Sequence, residues 1–344
     1  MATSIASRLL LTLSMSFVSL VIAGHAVWES GSTTVTADWI HIEPDAQYVP
    51  WPKSTIPYCY NNAQTREKMA GYMRQGMALW YANGLPEGFK MIEKPTEWCI
   101  RNRAESLVVY YKVQEGAGSY FSSIARSGHD TNFDGPHLYI GPGVTEYAPP
   151  ELIVWAVAHE LGHVWGLLHE HQDPLLWQSK DPANGEHRAL IIFYCENVQG
   201  YDELLKKYGG DKDILFEHDG PCRVSERAEK DDFNGAAILP FSTTRHQSPR
   251  PMWPTDEDVD WKSIMIYESD LLGKLDENKN HMTVWLRTKG KKFVLPPLVP
   301  TNSDIEGLLH MYRTRFTTLR QPLHNEPQSP WYQLFKQKVK CSWW

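Results

Sequence analysis

Three histidines and a glutamate stand at spacings that suit a single divalent ion. They lie in Ala158-His159-Glu160-Leu161-Gly162-His163-Val164-Trp165-Gly166-Leu167-Leu168-His169, which reads H-E-x-x-H-x-x-G-x-x-H. On a helix, residues four apart share a face, so His159 and His163 can present both imidazoles to one point. Gly166 can take a positive φ, end the helix and turn the chain so that His169 reaches the same point. Three neutral imidazoles leave positions on the ion open for water and substrate. That describes a catalytic zinc site, because a structural one is closed by four protein ligands. Glu160, one step round the helix from His159, is placed to take a proton from water rather than to ligate the ion. The alternative is a buried helix with incidental histidines, and histidines and a glutamate in so apolar a helix are costly unless coordinated or paired.

The surrounding residues must hold this helix in place. Leu152, Ile153, Val154, Trp155, Val157, Leu161, Val164 and Leu168 make it apolar nearly all round, as for a helix crossing a domain interior, and Pro149-Pro150 mark its entry. Upstream, Met69, Tyr72, Met73, Met77 and Trp80 recur at helical steps, which predicts a packed helix over 65–81 closed by Asn83-Gly84. Strands are expected near 89–92, 107–113 and 137–140, and 51–60 reads as a short edge strand with proline at its start. His137 on the last strand before the zinc helix reads as structural rather than as a ligand. His129, Asp130 and Asp134 lack a calcium-binding spacing. Residues 175–262 read as long and irregular, helical in part over 189–208. Ser303-Asp304-Ile305-Glu306 reads as a capping box opening a helix with Ile305, Leu308, Leu309 and Tyr312 on one face.

Lys+Arg 34 against Asp+Glu 41 gives a net charge of −7, which argues against a nucleic-acid binder, whose footprint would be basic. Residues 1–26 read as a secretory signal peptide: Arg8 ahead of an apolar 9–23, then Gly24-His25-Ala26 with small residues at the cleavage positions. The apolar run is short for a bilayer span, so cleavage and secretion are expected, with no membrane contact afterwards. A secreted chain makes disulfides plausible, and Cys59, Cys99, Cys195, Cys222 and Cys341 allow at most two.

These residues resemble the astacin family of metzincin zinc endopeptidases. The zinc motif fits metzincins in general, and Glu170 directly after His169 is similar to the astacin version. Ser263-Ile264-Met265-Ile266-Tyr267 resembles the family's Met-turn. Trp51-Pro52 with Ile56-Pro57-Tyr58 resembles the start of its mature domain, Thr96-Glu97-Trp98-Cys99-Ile100 its T-C-I stretch, and Ser303 to Tyr312 its closing helix. The likeness covers 51–313. Several features depart from the family. His169-Glu170-His171-Gln172-Asp173-Pro174 lacks the family's arginines, the cysteine pair around the strand before the zinc helix is absent, and the stretch from His169 to Met265 is longer than usual. No zinc-blocking pro-segment motif is recognisable; Asp45 is the nearest substitute.

The resemblance implies an α+β, zincin/metzincin-like fold: a twisted mixed sheet plus helices over an irregular lower subdomain, with a zinc cleft between. The organisation expected is signal peptide 1–26, short pro-segment or arm 27–50, peptidase domain 51–313 and C-terminal extension 314–344. One zinc ion would sit on His159, His163 and His169. Glu160 would be the general base, Tyr267 the donor to the oxyanion, and Met265 packing beneath the site. Glu170 would meet an N-terminus freed just before Trp51. Cys99 would bridge to Cys341, with Cys59 a competing partner, and Cys195–Cys222 is the simplest local pair. A protein or peptide substrate would lie extended along 119–124 of a secreted, monomeric zinc metalloendopeptidase. The rival readings are a peptidase of another metzincin branch, an inactive metzincin-fold relative that binds protein or carbohydrate through an aromatic cleft, and a zinc-stabilised structural protein. The tyrosine after the Met-turn favours astacins over the first, and the intact Glu160 and histidines argue against the other two.

Overall fold

Proline opens a strongly apolar helix and glycine closes it, and the other described elements are arranged about it. The computed structural model describes residues 38–44, 48–111, 120–126, 129–130, 133–142, 145, 148–178, 189–241 and 246–316, with backbone only at 129–130, 133–134 and 313–316. The expected signal peptide, Asp45, Cys341 and residues 317–344 lie outside this set, as do the side chains of His129, Asp130 and Asp134. The described residues fall in one unit, residues 37–344. No helix among them is long and apolar enough to cross a membrane.

The fold is α+β. In chain order come β1 (His41–Ile42), β2 (Thr55–Tyr60), α1 (Ala63–Ala82), β3 (Lys90–Glu93), α2 (Thr96–Arg101), β4 (Leu107–Tyr111), β5 (Tyr120–Ser122), β6 (His129–Asp130), β7 (Phe133–Asp134), β8 (His137–Ile140) and α3 (Pro150–Trp165). A less regular half follows: β9 (Ile191–Phe193), α4 (Tyr201–Lys207), α5 (Lys212–Leu215), α6 (Ser225–Lys230), β10 (His246–Gln247), β11 (Trp285–Arg287) and α7 (Asn302–Phe316). The main sheet runs β3-β2-β4-β8-β5, parallel except for antiparallel β5 at its edge. Thr55–Tyr60 therefore lies inside the sheet rather than at its edge. Proline is tolerated there because β4 joins only from Tyr58 onward, so Pro57 has β3 alone beside it.

Helices α1 and α3 pack against each other and against the sheet. The methionine stripe of α1 does bury: Met69, Met73, Met77 and Trp80 join a core with Trp155, Val157, Leu161 and Trp165. A second core gathers Leu176, Val198, Leu215, Phe233, Ile266, Trp285 and Val294 from the later, irregular half. Ser263–Tyr267 joins the two, because Ile264 and Met265 belong to the first core and Ile266 to the second.

Residues 38–42 lie in this framework. Trp39, Ile40 and Ile42 are buried, and β1 pairs with β10. Ile42 N–H donates to Gly166 O at 3.0 Å, and Leu168 N–H donates to Ile40 O at 3.1 Å. Helix α7 is capped two residues earlier than expected. Asp304 N–H donates to Thr301 Oγ1 at 3.2 Å while Thr301 N–H donates to the Asp304 carboxylate at 2.7 Å. The shift makes Asp304 the cap partner, and the same carboxylate also bonds the turn at the site.

Cys195–Cys222 forms as the local reading expected. The expected Cys99–Cys341 bridge is corrected to Cys59–Cys99, because β2 and α2 pack together and bring those two α-carbons to 6.4 Å. A non-reducing peptide map should recover the Cys59 peptide joined to the Cys99 peptide and the Cys195 peptide joined to the Cys222 peptide. A Cys99–Cys341 fragment would contradict this arrangement.

Candidate metal centre

The site begins with the end of α3. Pro150 is the first helical residue, where its missing N–H costs nothing, and Glu151 places an acid in the first turn. Gly166 takes φ +118°, and its N–H donates back to His163 O at 2.8 Å. The last-turn carbonyls that a helix leaves unpaired are all taken. Trp51 Nε1–H donates to Val164 O at 2.7 Å, the Tyr312 hydroxyl to Trp165 O at 3.1 Å, and Ala125 N–H to His163 O at 2.9 Å. The helix end is thus fixed from three sides, and the chain that turns away at Gly166 delivers His169 to the face carrying His159 and His163.

The three rings converge as expected. His169 Nε2 lies 2.9 Å from His163 Nε2 and 3.2 Å from His159 Nε2. The opposite nitrogens determine which atoms carry protons. His159 Nδ1 is 2.7 Å from Ile264 O and His163 Nδ1 is 2.9 Å from Leu167 O, so both must donate. His169 Nδ1 faces Gln172 Oε1 at 2.8 Å. The Gln172 amide cannot be flipped, because its Nε2 donates to Ala236 O and Leu239 O at 3.0 and 2.9 Å. All three Nδ1 atoms therefore carry hydrogen, and three Nε2 lone pairs point into one small volume. With no donor between them they repel; a cation there makes all three contacts favourable. Burial also lowers the pKa of each ring, that of His163 to about 4, which keeps the rings neutral and able to ligate. Among the described residues, this is the only set of three or more such side chains grouped closely enough to hold a metal ion. A neutral three-nitrogen donor set fits zinc.

Glu160 is buried beside the rings, and its Oε2 has no hydrogen-bond partner. Burial pushes its carboxyl up to about 8, with the Ser122 hydroxyl acting in the opposite direction. An unpaired buried oxygen of this kind is expensive unless something else meets it there. Tyr267 also reaches the site, its ring centroid 4.2 Å from that of His169 and 5.8 Å from that of His159. Burial, followed by Tyr120 and Glu160, holds its hydroxyl protonated well above the usual range. Met265 packs beneath the helix at Gly162, where a β-carbon would come within 2.4 Å of its sulfur. His137 stays on the sheet, its Nδ1 3.2 Å from Gly135 O, as a structural residue.

Four contributors were not read from the sequence. Gln172 orients His169. His171, fully buried, donates from Nε2 to Ala237 O at 3.0 Å and accepts from Tyr267 N–H at 3.4 Å, which fixes the backbone of the tyrosine. Asp304 accepts from Ser263 Oγ at 2.6 Å and from Ile264 N–H at 3.1 Å. It thereby holds the turn whose Ile264 carbonyl orients His159. Tyr120 on β5 stands edge-on to His159, with ring centroids 6.4 Å apart. Only Gln172 had a local signal, three residues after His169; the others act across long sequence distances.

The pKa shifts set the pH response of the metal-stripped protein. Buried His41, His163 and His171 are lowered from 6.5 to about 4, and His159 and His169 lie well below 6.5. Below pH 6.5 the unfolded chain takes up protons that the fold refuses, so these five groups withdraw stability as pH falls. Glu160, raised from 4.5 to about 8, and Asp304, raised from 3.8 to about 6, act in the opposite sense, because the fold keeps protons that the unfolded chain releases. The five histidines outweigh these two carboxyls between pH 6.5 and 4.5. Thermal melts in chelator should therefore show Tm falling from pH 6.5 to 4.5. A Tm that holds or rises as the pH falls would contradict the assignment.

At the level of sequence, no family model matches the chain and no curated protein matches it. Among solved structures it is similar to high choriolytic enzyme 1, a hatching enzyme zinc-protease from Oryzias latipes, the medaka fish. That match has 12% identity, covers 79% of this chain and 98% of that one, and has a TM-score of 0.45. It is also similar to myroilysin, at 15% identity, with 79% of this chain and 98% of that one covered and a TM-score of 0.38.

Proposed function

We propose that this chain is a secreted, zinc-dependent endopeptidase. The observation that carries this reading is the convergence of three Nε2 lone pairs, each fixed by a hydrogen bond at the opposite ring nitrogen, beside the unpaired buried oxygen of Glu160. His159, His163 and His169 would hold the zinc ion. A zinc ion there supplies a Lewis acid and lowers the pKa of water at its open positions towards neutrality.

The protein's own groups account for the remaining chemistry. Glu160 takes the proton of the attacking water at its free Oε2 and passes it to the leaving nitrogen. Burial favours its protonated form, which suits the second half of that transfer, and positive charge held by the three rings would favour the carboxylate needed for the first. Tyr267, with its hydroxyl kept protonated, donates to the oxygen on which negative charge develops. Strand β5 supports substrate binding: it is the sheet edge, and its Ser122 hydroxyl donates to Glu160 O at 3.1 Å, so the edge runs beside the base. An extended peptide added to that edge would pass the general base with its backbone paired.

Zinc content and casein cleavage, measured together on wild type and variants, test this reading. Glu160→Ala should keep one zinc per chain and lose turnover by roughly 10^2 to 10^4-fold, the usual contribution of a positioned general base. Unaltered cleavage in that variant would refute the mechanism, and zinc without cleavage in the wild type would favour a binding protein on a peptidase-like fold. Tyr267→Phe should cost roughly 10^2 to 10^3-fold in kcat, as for loss of one oxyanion donor. An unchanged kcat would remove Tyr267 from that role.

A further inference from the structure

The loop bearing His169 is clamped by a buried guanidinium that the reaction itself does not use. The Arg250 side chain is fully buried. One of its terminal nitrogens donates to Glu170 Oε2, the other donates to Asp173 Oδ2 at 2.8 Å, and Nε–H donates to Asp258 O at 3.0 Å. Glu170 directly follows His169, and Asp173 directly follows Gln172, whose amide sets the His169 tautomer. The guanidinium therefore grips the chain on both sides of the residues that aim the third imidazole. The remaining oxygen of Glu170 accepts from Ile40 N–H at 3.1 Å, and that of Asp173 from Leu175 N–H at 2.9 Å. Residues 40–42 complete the strap, Ile42 bonding Gly166 and Ile40 bonding Leu168. Trp51, where trimming was expected to free a partner for Glu170, has its N–H on the Tyr312 hydroxyl at 3.3 Å and its indole on Val164 O.

We propose that Arg250, together with β1, is the positioning device for His169: the guanidinium, and not an amino group released at Trp51, neutralises buried Glu170, so residues 38–42 stay in the working protein. This rests on the zinc peptidase reading. Two carboxylates bonded to one planar fork need its geometry as well as its charge, and an ammonium cannot span both.

Arg250→Lys in the full secreted chain is the test, since Arg250→Met would strand two buried carboxylates and endanger folding. Zinc affinity by competition with a chromophoric chelator should fall about 10- to 100-fold, the usual cost of disturbing a residue that orients a ligand. The visible spectrum of the cobalt-substituted protein should change with it. Val109→Ala on β4 lowers Tm without touching this loop and should leave both readouts at wild-type values. N-terminal sequencing of the zinc-loaded, active species should begin at or before Asp38. Wild-type affinity and cobalt spectrum in Arg250→Lys, or an active species beginning at Trp51, would overturn the inference while leaving the peptidase reading intact. A wild type that takes up no zinc would overturn both.

Discussion

The structure depends on one electrostatic constraint: three imidazole lone pairs share a volume too small for them unless a cation sits there. Each ring is locked in that state by an acceptor on its far side, the carbonyls of Ile264 and Leu167 and the amide oxygen of Gln172. Neutral rings with Nδ1 protonated are the form that binds a metal, and burial keeps them neutral far below their ordinary pKa. The surrounding fold supplies these three acceptors. Gly166 turns the chain so that Leu167 O meets His163, the Ser263–Tyr267 turn offers Ile264 O, and the capped loop after His169 offers Gln172.

The acceptors have supports of their own, and those supports are charged. Asp304 caps α7 and in the same place accepts from Ser263 and Ile264, so helix, turn and His159 form one connected unit. Arg250 does the same for the loop of His169 through Glu170 and Asp173. Buried ions cost several kcal/mol each in desolvation and repay it only with full pairing, so their presence here is better read as fixing geometry than as adding stability. Met265 and Gly162 supply the apolar counterpart: the helix and turn approach so closely that no side chain fits between them.

How much of this was legible follows from the range of each interaction. The three histidines and the glycine turn at the end of α3 are encoded within twelve residues, and helical periodicity alone brings His159 and His163 together. The methionine stripe of α1 and strand β8 were legible for the same reason. Tyr267 was reached through the resemblance of its turn, not through periodicity. Long-range contacts were not visible: nothing local tells that Arg250 returns to Glu170, that Asp304 serves Ile264, or that Cys59 lies against Cys99. The edge position expected for β2 failed because proline limits only the side of a strand that needs its N–H, and β4 begins one residue later. The cap expected at Ser303 failed because Thr301, two residues earlier, makes the same reciprocal bonds with Asp304.

The state of Glu160 ties these levels together. Without a cation, its burial favours the neutral acid, and its carboxyl sits at about 8. A positive charge held by the three neighbouring rings would favour the carboxylate, the form that can accept a proton from water. In the proposed mechanism, the event that relieves the repulsion among the imidazoles would also ready Glu160 as the base. Tyr267 differs in kind, because its hydroxyl is kept protonated by burial and by the neighbouring Tyr120 and Glu160, so it remains a donor throughout. Acceptor and donor are thus separated by environment rather than by residue type, and the fold sets both by withholding solvent from one small region at the end of α3.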